Sequence, residues 1–290
     1  MLPVRSLLRV VGRAVRRYAR DNMALPAAAL AFAAVFSLFP LVLFLISLAG
    51  LFVHQDVAEQ WVLANVQYAG IGTELLTNTI TDVLKSKSAS GTAATIGLIG
   101  LIFSASGVFS TLQKAVNQAW ECTTETGLVL ERVIAAVMVF GVILVLLAST
   151  IISTILAAIQ QSTIRIIGDL PWFWQVVNIV STIGLATTVL AVLFRTLPRC
   201  KVDWADVWFG ALLTALLWSL VQQVFAIYLG SFANYQAVYG ALGGMIALQA
   251  WIFLSSQILL FGAEVCAEYA LEREMRAGAT LLQERITELR

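Results

Sequence analysis

The sequence predicts an all-α polytopic membrane protein with six transmembrane helices and additional amphipathic helices at the membrane surface. Of its 290 residues, 60% are hydrophobic and 12% are charged, whereas roughly 25% charged residues is usual in soluble domains. The mean hydropathy is +0.87. Long uncharged runs recur along the chain, and about 20 apolar residues in a helix cover about 30 Å of hydrocarbon. No Pro/Ser/Gly-rich linker divides the sequence, so one membrane domain is expected.

Three parts are predicted along the chain. A basic amphipathic segment occupies 1–22, the six-span domain 23–269, and a charged cytoplasmic tail 270–290. The approximate spans are 25–53, 92–112, 128–158, 172–197, 207–229 and 239–263, with outer amphipathic helices within 56–88. The last span opens with small residues, carries glutamines in its apolar part and ends at an acid, Glu264.

In the N-terminal segment, arginines recur at helical spacing, as at Arg9, Arg13 and Arg16, and apolar residues do the same between them, as at Val11 and Val15. This pattern suits a helix lying on an anionic cytoplasmic leaflet. It equally suits an orientation signal that stays inside the cell, and the two interpretations are compatible.

The distribution of basic residues predicts the orientation of the spans. With both termini cytoplasmic, 15 of the 18 Lys and Arg residues lie in inside segments. The remaining three, Lys85, Lys87 and Arg165, lie outside. Because cytoplasmic loops carry the excess of basic residues, the sequence predicts that both termini are cytoplasmic.

Several classes of activity lack support in the residues. A net charge of +1 provides no basic field for nucleic acid, so no nucleic-acid partner is expected. The only histidine is His54, no acid–base cluster appears, and RNA hydrolysis needs such clusters. No catalytic residue, metal site or cofactor is therefore predicted, and no enzyme. The three cysteines, Cys122, Cys200 and Cys266, form no CxxC pair and are expected to be free thiols.

Polar side chains within or beside the spans are the candidate site residues. They are Gln113, Asn117, Asn178, Gln222, Gln249, Gln257 and Glu264. At about 100° per residue, Gln257 and Glu264 fall within about 20° of each other, so the last span has one polar flank. This flank is either an interhelical hydrogen-bond seam, with Glu264 paired to Arg195 or Arg199, or a path for a substrate headgroup or proton.

Proline and glycine mark candidate hinge and packing positions. Pro40 lies in the middle of the first span, where it predicts a kink or a hinge. Gly240, Gly243 and Gly244 open the last span and allow close helix approach. Packing within the bundle is favoured there, and a homodimer face is the alternative.

Four stretches in order along the chain resemble the YihY/BrkB family of bacterial inner-membrane proteins, some of which once carried the label ribonuclease BN. They are AAALAFAAVFSLFPLVL (27–43), IGLIGLIFSASGVFSTLQKAVNQAWE (96–121), LPRCKVDWADVWFGALLTALLW (197–218) and YQAVYGALGGMIALQAWIFLSSQILLFGAEVCA (235–267). The resemblance implies a six-span protein of the inner membrane with both ends in the cytoplasm. It also implies a direction of function, towards lipid transport in the envelope or serum resistance.

The leading functional hypothesis is a transporter or translocator of lipid-like or amphipathic envelope molecules. Sparse amides in an apolar interior suit such molecules better than a naked ion. The alternative is a structural membrane protein that binds envelope partners. Membrane lipid is therefore the expected partner, with a homo-oligomer or envelope proteins as further candidates.

Overall fold

A computed structural model describes residues 4–52, 87–122, 154, 171–231 and 233–288. Within these residues every regular element is a helix, which confirms the predicted all-α class for this part of the chain. The helices are α1 (Val4–Arg20), α2 (Ala24–Phe52), α3 (Lys87–Ala119), α4 (Pro171–Thr196), α5 (Trp204–Ser231) and α6 (Ala233–Glu288).

Five of these helices are long and apolar enough to cross a membrane. The qualifying stretches are Ala24–Leu41, Gly97–Ala119, Trp172–Thr196, Trp204–Leu229 and Gly243–Gly278. They correspond to five of the six predicted spans. The predicted third span at 128–158 lies outside the described residues except for Thr154, as do the predicted outer helices at 56–88 except for the first two residues of α3.

Helix α6 is much longer than the predicted last span. Its 56 residues correspond to about 84 Å at about 1.5 Å per residue, against about 30 Å of hydrocarbon. The helix passes without a break through the predicted boundary between residues 269 and 270. Part of α6 must therefore lie beyond the hydrocarbon, as a helical continuation of the span.

The chain forms two compact units, and the first comprises Met1–Ala24, Gln113–Val221 and Ile258–Arg290. Its apolar core joins Val10 and Ala14 of α1 to Val265 and Tyr269 of α6, and all four are buried. The Phe209 ring of α5 stacks on Tyr269 at a centroid distance of 5.4 Å. Helices α1, α5 and α6 thus share one core.

Two glycines bring α5 and α6 into close contact in this unit. A Cβ atom on Gly262 would overlap the Thr214 hydroxyl and would lie 2.9 Å from Cζ of Phe194. A Cβ atom on Gly210 would overlap Sγ of Cys266. Small residues at such crossings let membrane helices approach closely, so only glycine fits the observed packing at both positions.

The second unit comprises Leu25–Leu112 and Gln222–Gln257. Helix α2 continues through Pro40, and a Cβ atom on Gly100 of α3 would lie 3.3 Å from Cβ of Pro40. In the same unit the rings of Phe225 and Trp251 lie 5.0 Å apart. The predicted hinge residue Pro40 therefore lies at a close contact between α2 and α3.

Candidate functional site

Three acidic residues of α6 lie on one face of the helix. Glu264, Glu268 and Glu272 follow one another at intervals of four residues, a spacing that aligns side chains along a helix. Arg13 and Arg17 of α1 have the same spacing and meet this face. Arg17 contacts the first two acids and Arg13 contacts the last two, so α1 and α6 pack antiparallel.

Arg17 is the centre of the resulting ion-pair cluster. Its Nε lies 3.1 Å from Oε2 of Glu264, its Nη1 3.3 Å from Oε1 of Glu268, and its Nη2 3.0 Å from Oε1 of Glu121. Nη2 also donates a 2.8 Å hydrogen bond to the carbonyl of Ala119, the last residue of α3. One guanidinium thus joins α1, α6 and the end of α3, and its side chain is 7% exposed.

The left-handed backbone conformation of Glu121 positions its carboxylate for this contact. Glu121 has φ of 52°, and Cys122 N–H donates to the carbonyl of Asn117 at 2.9 Å. A left-handed residue followed by a backbone N–H that bonds to the carbonyl five residues earlier is a common way to end a helix. The turn directs the chain after α3 so that the Glu121 carboxylate reaches Arg17.

The cluster continues outward through Arg13. Arg13 Nη2 lies 2.7 Å from Oε2 of Glu272, and Arg276 Nη2 lies 3.0 Å from the other oxygen of the same carboxylate. Hydrogen bonding to Glu272 is the main cause that raises the pKa of Arg13 above its ordinary value. Burial, and then the charge of Glu264, raise the pKa of Tyr18 to about 12, so both groups keep their protons at neutral pH.

The described cluster holds more carboxylates than guanidinium groups. Its ion pairs connect four arginines to five acids: Arg13, Arg17, Arg20 and Arg276, with Asp21, Glu121, Glu264, Glu268 and Glu272. Like charges at short range favour binding of a proton or another cation. Within the described residues, however, no group of three or more His, Cys, Asp or Glu is arranged to hold a metal ion.

Glu264 is the most enclosed member of the cluster. Its side chain is 0% exposed. Although Arg17 Nε is 3.1 Å away, neither carboxylate oxygen accepts a hydrogen bond of acceptable geometry from the described residues. The contact is therefore an ion pair without a directed hydrogen bond. A buried carboxylate of this kind can exchange a proton or a polar ligand when the Arg17 contact breaks.

The predicted pairing of Glu264 with Arg195 or Arg199 is wrong for the described structure. The partner is Arg17, from the N-terminal helix. Arg195 instead lies over the Trp204 ring, with its Cζ 4.3 Å from the ring centroid. The backbone N–H of Arg199 donates to the Asn117 side chain.

Two predicted site residues, Gln113 and Asn117, hold the loop between α4 and α5. Asn117 Oδ1 accepts the N–H of Arg199 at 2.8 Å, and Gln113 Nε2 donates to the carbonyl of Leu197 at 3.4 Å. Both amides are buried. Their contacts give them a structural role at the end of α3, since each satisfies a backbone group of the loop.

A disulfide joins Cys200 of the same loop to Cys122, which follows the end of α3 and lies 78 residues earlier in the sequence. In the structure these two cysteines are paired, which contradicts the prediction of free thiols for them. They become neighbours because the loop after α4 packs on the end of α3. Cys266 is free and buried, as expected, and its Sγ contacts the carbonyl of Val207 at 3.4 Å.

The remaining predicted polar residues lie on α4, α5 and α6. Asn178 is exposed on α4, and its carbonyl accepts the hydroxyls of Ser181 and Thr182. Gln222 is exposed, and Gln249 and Gln257 are half-buried, all three in the second unit. Of the predicted packing glycines, Gly243 and Gly244 are half-buried, and Gly240 lies within α6.

Sequence reasoning missed most of the cluster. Arg13, Arg17, Glu268 and Glu272 are members that it did not single out as site residues. A usable signal was present: acids four residues apart after the last span, and arginines four residues apart in the N-terminal segment. Gly210 and Gly262 were also missed, because the crossing point of two helices depends on both partners.

An all-helical architecture in the described residues, with five stretches long and apolar enough to cross a membrane, is that of an α-helical membrane protein. The chain belongs to the virulence factor BrkB family, whose sequence model matches residues 14–286. This confirms the family resemblance and establishes the chain as a member of a membrane protein family.

Curated relatives match most of the chain. A ribonuclease-like protein, YfkH, of Bacillus subtilis (strain 168) is 25% identical over 87% of this chain and 91% of its own length. A UPF0761 membrane protein of Aeromonas salmonicida (strain A449) is 30% identical over 87% of this chain and 85% of its own. A UPF0761 membrane protein of Actinobacillus pleuropneumoniae serotype 5b (strain L20) is 24% identical over 89% and 92%, respectively. No solved structure matches the chain.

Proposed function

We propose that this protein is a transporter or translocator of lipid-like or amphipathic envelope molecules in the bacterial inner membrane, with six spans and both termini in the cytoplasm. The observation that carries the proposal is Glu264, a fully buried carboxylate on the same helix as a long apolar run. Ionisable residues at such positions are costly, and they commonly mark substrate or proton pathways.

The Arg17–Glu264 contact supports a step in which the site opens. Arg17 belongs to α1, which is separate from the apolar spans, and it has alternative acceptors in Glu268, Glu121 and the Ala119 carbonyl. Arg17 can therefore release Glu264 without losing all its partners. Glu264 would then take up a proton or the cationic part of a headgroup. Binding at Glu264 would thus depend on breaking the Arg17–Glu264 ion pair.

Ribonuclease activity is not part of the proposal. The printed name of YfkH concerns that protein. RNA hydrolysis requires clustered acid–base groups or metal ligands, and the acids of the described cluster are each in contact with arginine. No enzymatic role is proposed.

The alternative is a structural protein that docks envelope partners, and the length of α6 favours it. The helix continues to Glu288 with charges of both signs. If docking is the main role, deletion of 280–290 should change the set of proteins that copurify with the full-length chain. An unchanged set would count against docking.

Lipid movement in proteoliposomes tests the leading proposal. Fluorescent phospholipid is placed in both leaflets, and the outer leaflet is quenched chemically. Quenching of more than about half of the dye with wild-type protein, against about half without protein, would show lipid crossing. Glu264→Gln should reduce that crossing, because glutamine keeps the shape but cannot take up a proton.

The matched control is Glu274→Gln, the same change at an exposed residue of α6. Both variants should incorporate and melt like the wild type before rates are compared. Equal rates in wild type and Glu264→Gln would remove Glu264 from the mechanism. Quenching at the protein-free level for the wild type would reject unaided translocation of that lipid.

A further inference from the structure

We propose that the exposed side of α1 is a binding site for anionic phospholipid, in which arginines hold lipid phosphate groups and an adjoining apolar stripe lies against the acyl chains. The arginines assigned to it, Arg9, Arg16 and Arg20, form no ion pair with Glu264 among the described residues, and the site does not depend on the proposed transport. It assigns one ligand, the anionic phospholipid of the membrane in which the protein resides.

Helix α1 has a second apolar face besides the one that packs on α6. The first, with Val10 and Ala14, is buried against α6. On the second face, Leu8 is 70% exposed and Val15 is 53% exposed. These two residues are seven apart and fall within about 20° of each other at about 100° per residue. Packing on α6 therefore leaves an apolar stripe uncovered along the helix.

Arginines line one flank of this stripe. Arg9, Arg16 and Arg20 are exposed and fall within about 40° of one another. Among the described residues, no carboxylate lies within 4.0 Å of Arg9 or Arg16, and Arg16 Nε contacts only the carbonyl of Gly12, at 3.4 Å. Arg20 pairs with Asp21 and Glu121, but its side chain is 67% exposed. Exposed pairs of this kind contribute little stability and exchange easily.

An open depression of about 240 Å³ lies beside these arginines. Its lining consists of Arg13, Arg16, Arg17, Arg20 and Glu268. Arg13 and Arg17 are already paired with carboxylates, whereas Arg16 has no carboxylate partner among the described residues and Arg20 has only exposed pairs. Guanidinium donors match phosphate oxygens in a bidentate geometry, so Arg16 and Arg20 supply the donors for a phosphate group at this depression.

The apolar stripe distinguishes a lipid from free phosphate or nucleic acid. A free phosphate would leave Leu8 and Val15 in water, and nucleic acid offers no apolar surface to cover them. A basic helix with one exposed apolar stripe is typical of a membrane-surface helix. Basic residues near an anionic leaflet add an electrostatic attraction that falls off over about 10 Å.

Lipid titration of the full-length protein tests the site. Purified protein in neutral detergent is titrated with phosphatidylglycerol or with phosphatidylcholine of the same acyl chains, and thermal unfolding is followed. Phosphatidylglycerol should stabilise the wild type more. The double variant Arg9→Gln/Arg16→Gln should weaken the apparent affinity for phosphatidylglycerol by about tenfold or more, with its phosphatidylcholine response unchanged.

The control is Lys114→Gln/Lys201→Gln, which removes the same charge from exposed residues outside α1. It should keep the wild-type preference, as should Arg9→Lys/Arg16→Lys, which retains the charges. The proposal is overturned if the Arg9→Gln/Arg16→Gln variant prefers phosphatidylglycerol as strongly as the wild type. It is also overturned if the lysine control loses the preference equally, or if inorganic phosphate alone stabilises the wild type to the same degree.

Discussion

At the scale of single residues, Arg17 is the group whose loss should matter most for stability. Arg17→Ala leaves Glu264 buried without its counter-charge, together with an unpaired Ala119 carbonyl. Removing one partner of a buried ion pair costs about 3 to 5 kcal/mol. The free energy of unfolding, measured by denaturant titration in mixed micelles, should fall by that amount.

Arg16→Ala is the matched control for this prediction. Arg16 is the preceding residue of α1, is exposed, and has no carboxylate partner among the described residues. Its loss should change stability by about 0.5 kcal/mol or less. A combined Arg17→Met/Glu264→Leu variant should recover much of the loss, because it leaves no buried charge at this pair. Equal effects of Arg16→Ala and Arg17→Ala would contradict the assigned ion pair.

The site was partly predictable from the sequence, and the part that was missed has a physical reason. Glu264 stood out because an acid directly after an apolar run is locally unusual. Its partner lies near the opposite end of the chain, and no local pattern identifies which of many arginines a fold brings close. Gln113 and Asn117 stood out as amides, yet their contacts are with backbone groups of a distant loop.

At the scale of elements, the crossing of α5 and α6 predicts a strong dependence on Gly262. In Gly262→Ala, the added methyl group would overlap the Thr214 hydroxyl and press on the Phe194 ring. Overpacking of a tight contact costs about 1 to 3 kcal/mol. The midpoint of thermal unfolding in detergent should therefore fall.

Gly184→Ala provides the comparison for Gly262→Ala. Gly184 lies in α4, and no atom of the described residues lies within 4 Å of the position that its Cβ would occupy. Alanine has the higher helix propensity, by about 1 kcal/mol, so this variant should be neutral or more stable. If Gly262→Ala were also neutral, that result would contradict the close contact between α5 and α6 at Gly262.

The helices themselves were predictable because their length and apolar character are local properties. The bounds of α2 and α4 match the predicted first and fourth spans to within one residue. The prediction was less accurate at the end of α6, because the change there is from hydrocarbon to water and not from helix to another backbone conformation. Helix α6 continues past residue 269 because a helix can leave the membrane without ending, and the fall in hydrophobicity there marks a change of environment.

The loop between α4 and α5 gives a prediction about cysteine chemistry. With the proposed topology, Cys122 and Cys200 face the cytoplasm, where disulfides are rare. The disulfide of the structure should then form only on oxidation, so we expect three free thiols when growing cells are acid-quenched and alkylated under denaturing conditions. After purification in air we expect only Cys266 to be free, as in the structure. A single free thiol in growing cells would place this loop in an oxidising compartment.

At the scale of the whole molecule, the charge bias and the length of α6 make a joint prediction about topology. Cytoplasmic loops carry an excess of basic residues, and 15 of the 18 Lys and Arg residues fall on one predicted side of the membrane. Because α6 extends about 84 Å, its C-terminal part should emerge on the same side as α1, which it contacts through Arg13 and Arg17. The ion-pair cluster thus requires α1 and this part of α6 to share a compartment.

Reporter fusions check this topology. Green fluorescent protein fused after Arg290 should fluoresce, since it folds in the cytoplasm, and alkaline phosphatase at the same position should be inactive. Phosphatase inserted within the predicted outer segment at 56–88 should be active. Active phosphatase at the C-terminus would invert the proposed orientation but keep α1 and α6 together. If a fusion at the N-terminus reported the opposite side of the membrane from the C-terminus, it would contradict the ion-pair cluster itself, because Arg17 and Glu264 could not then meet.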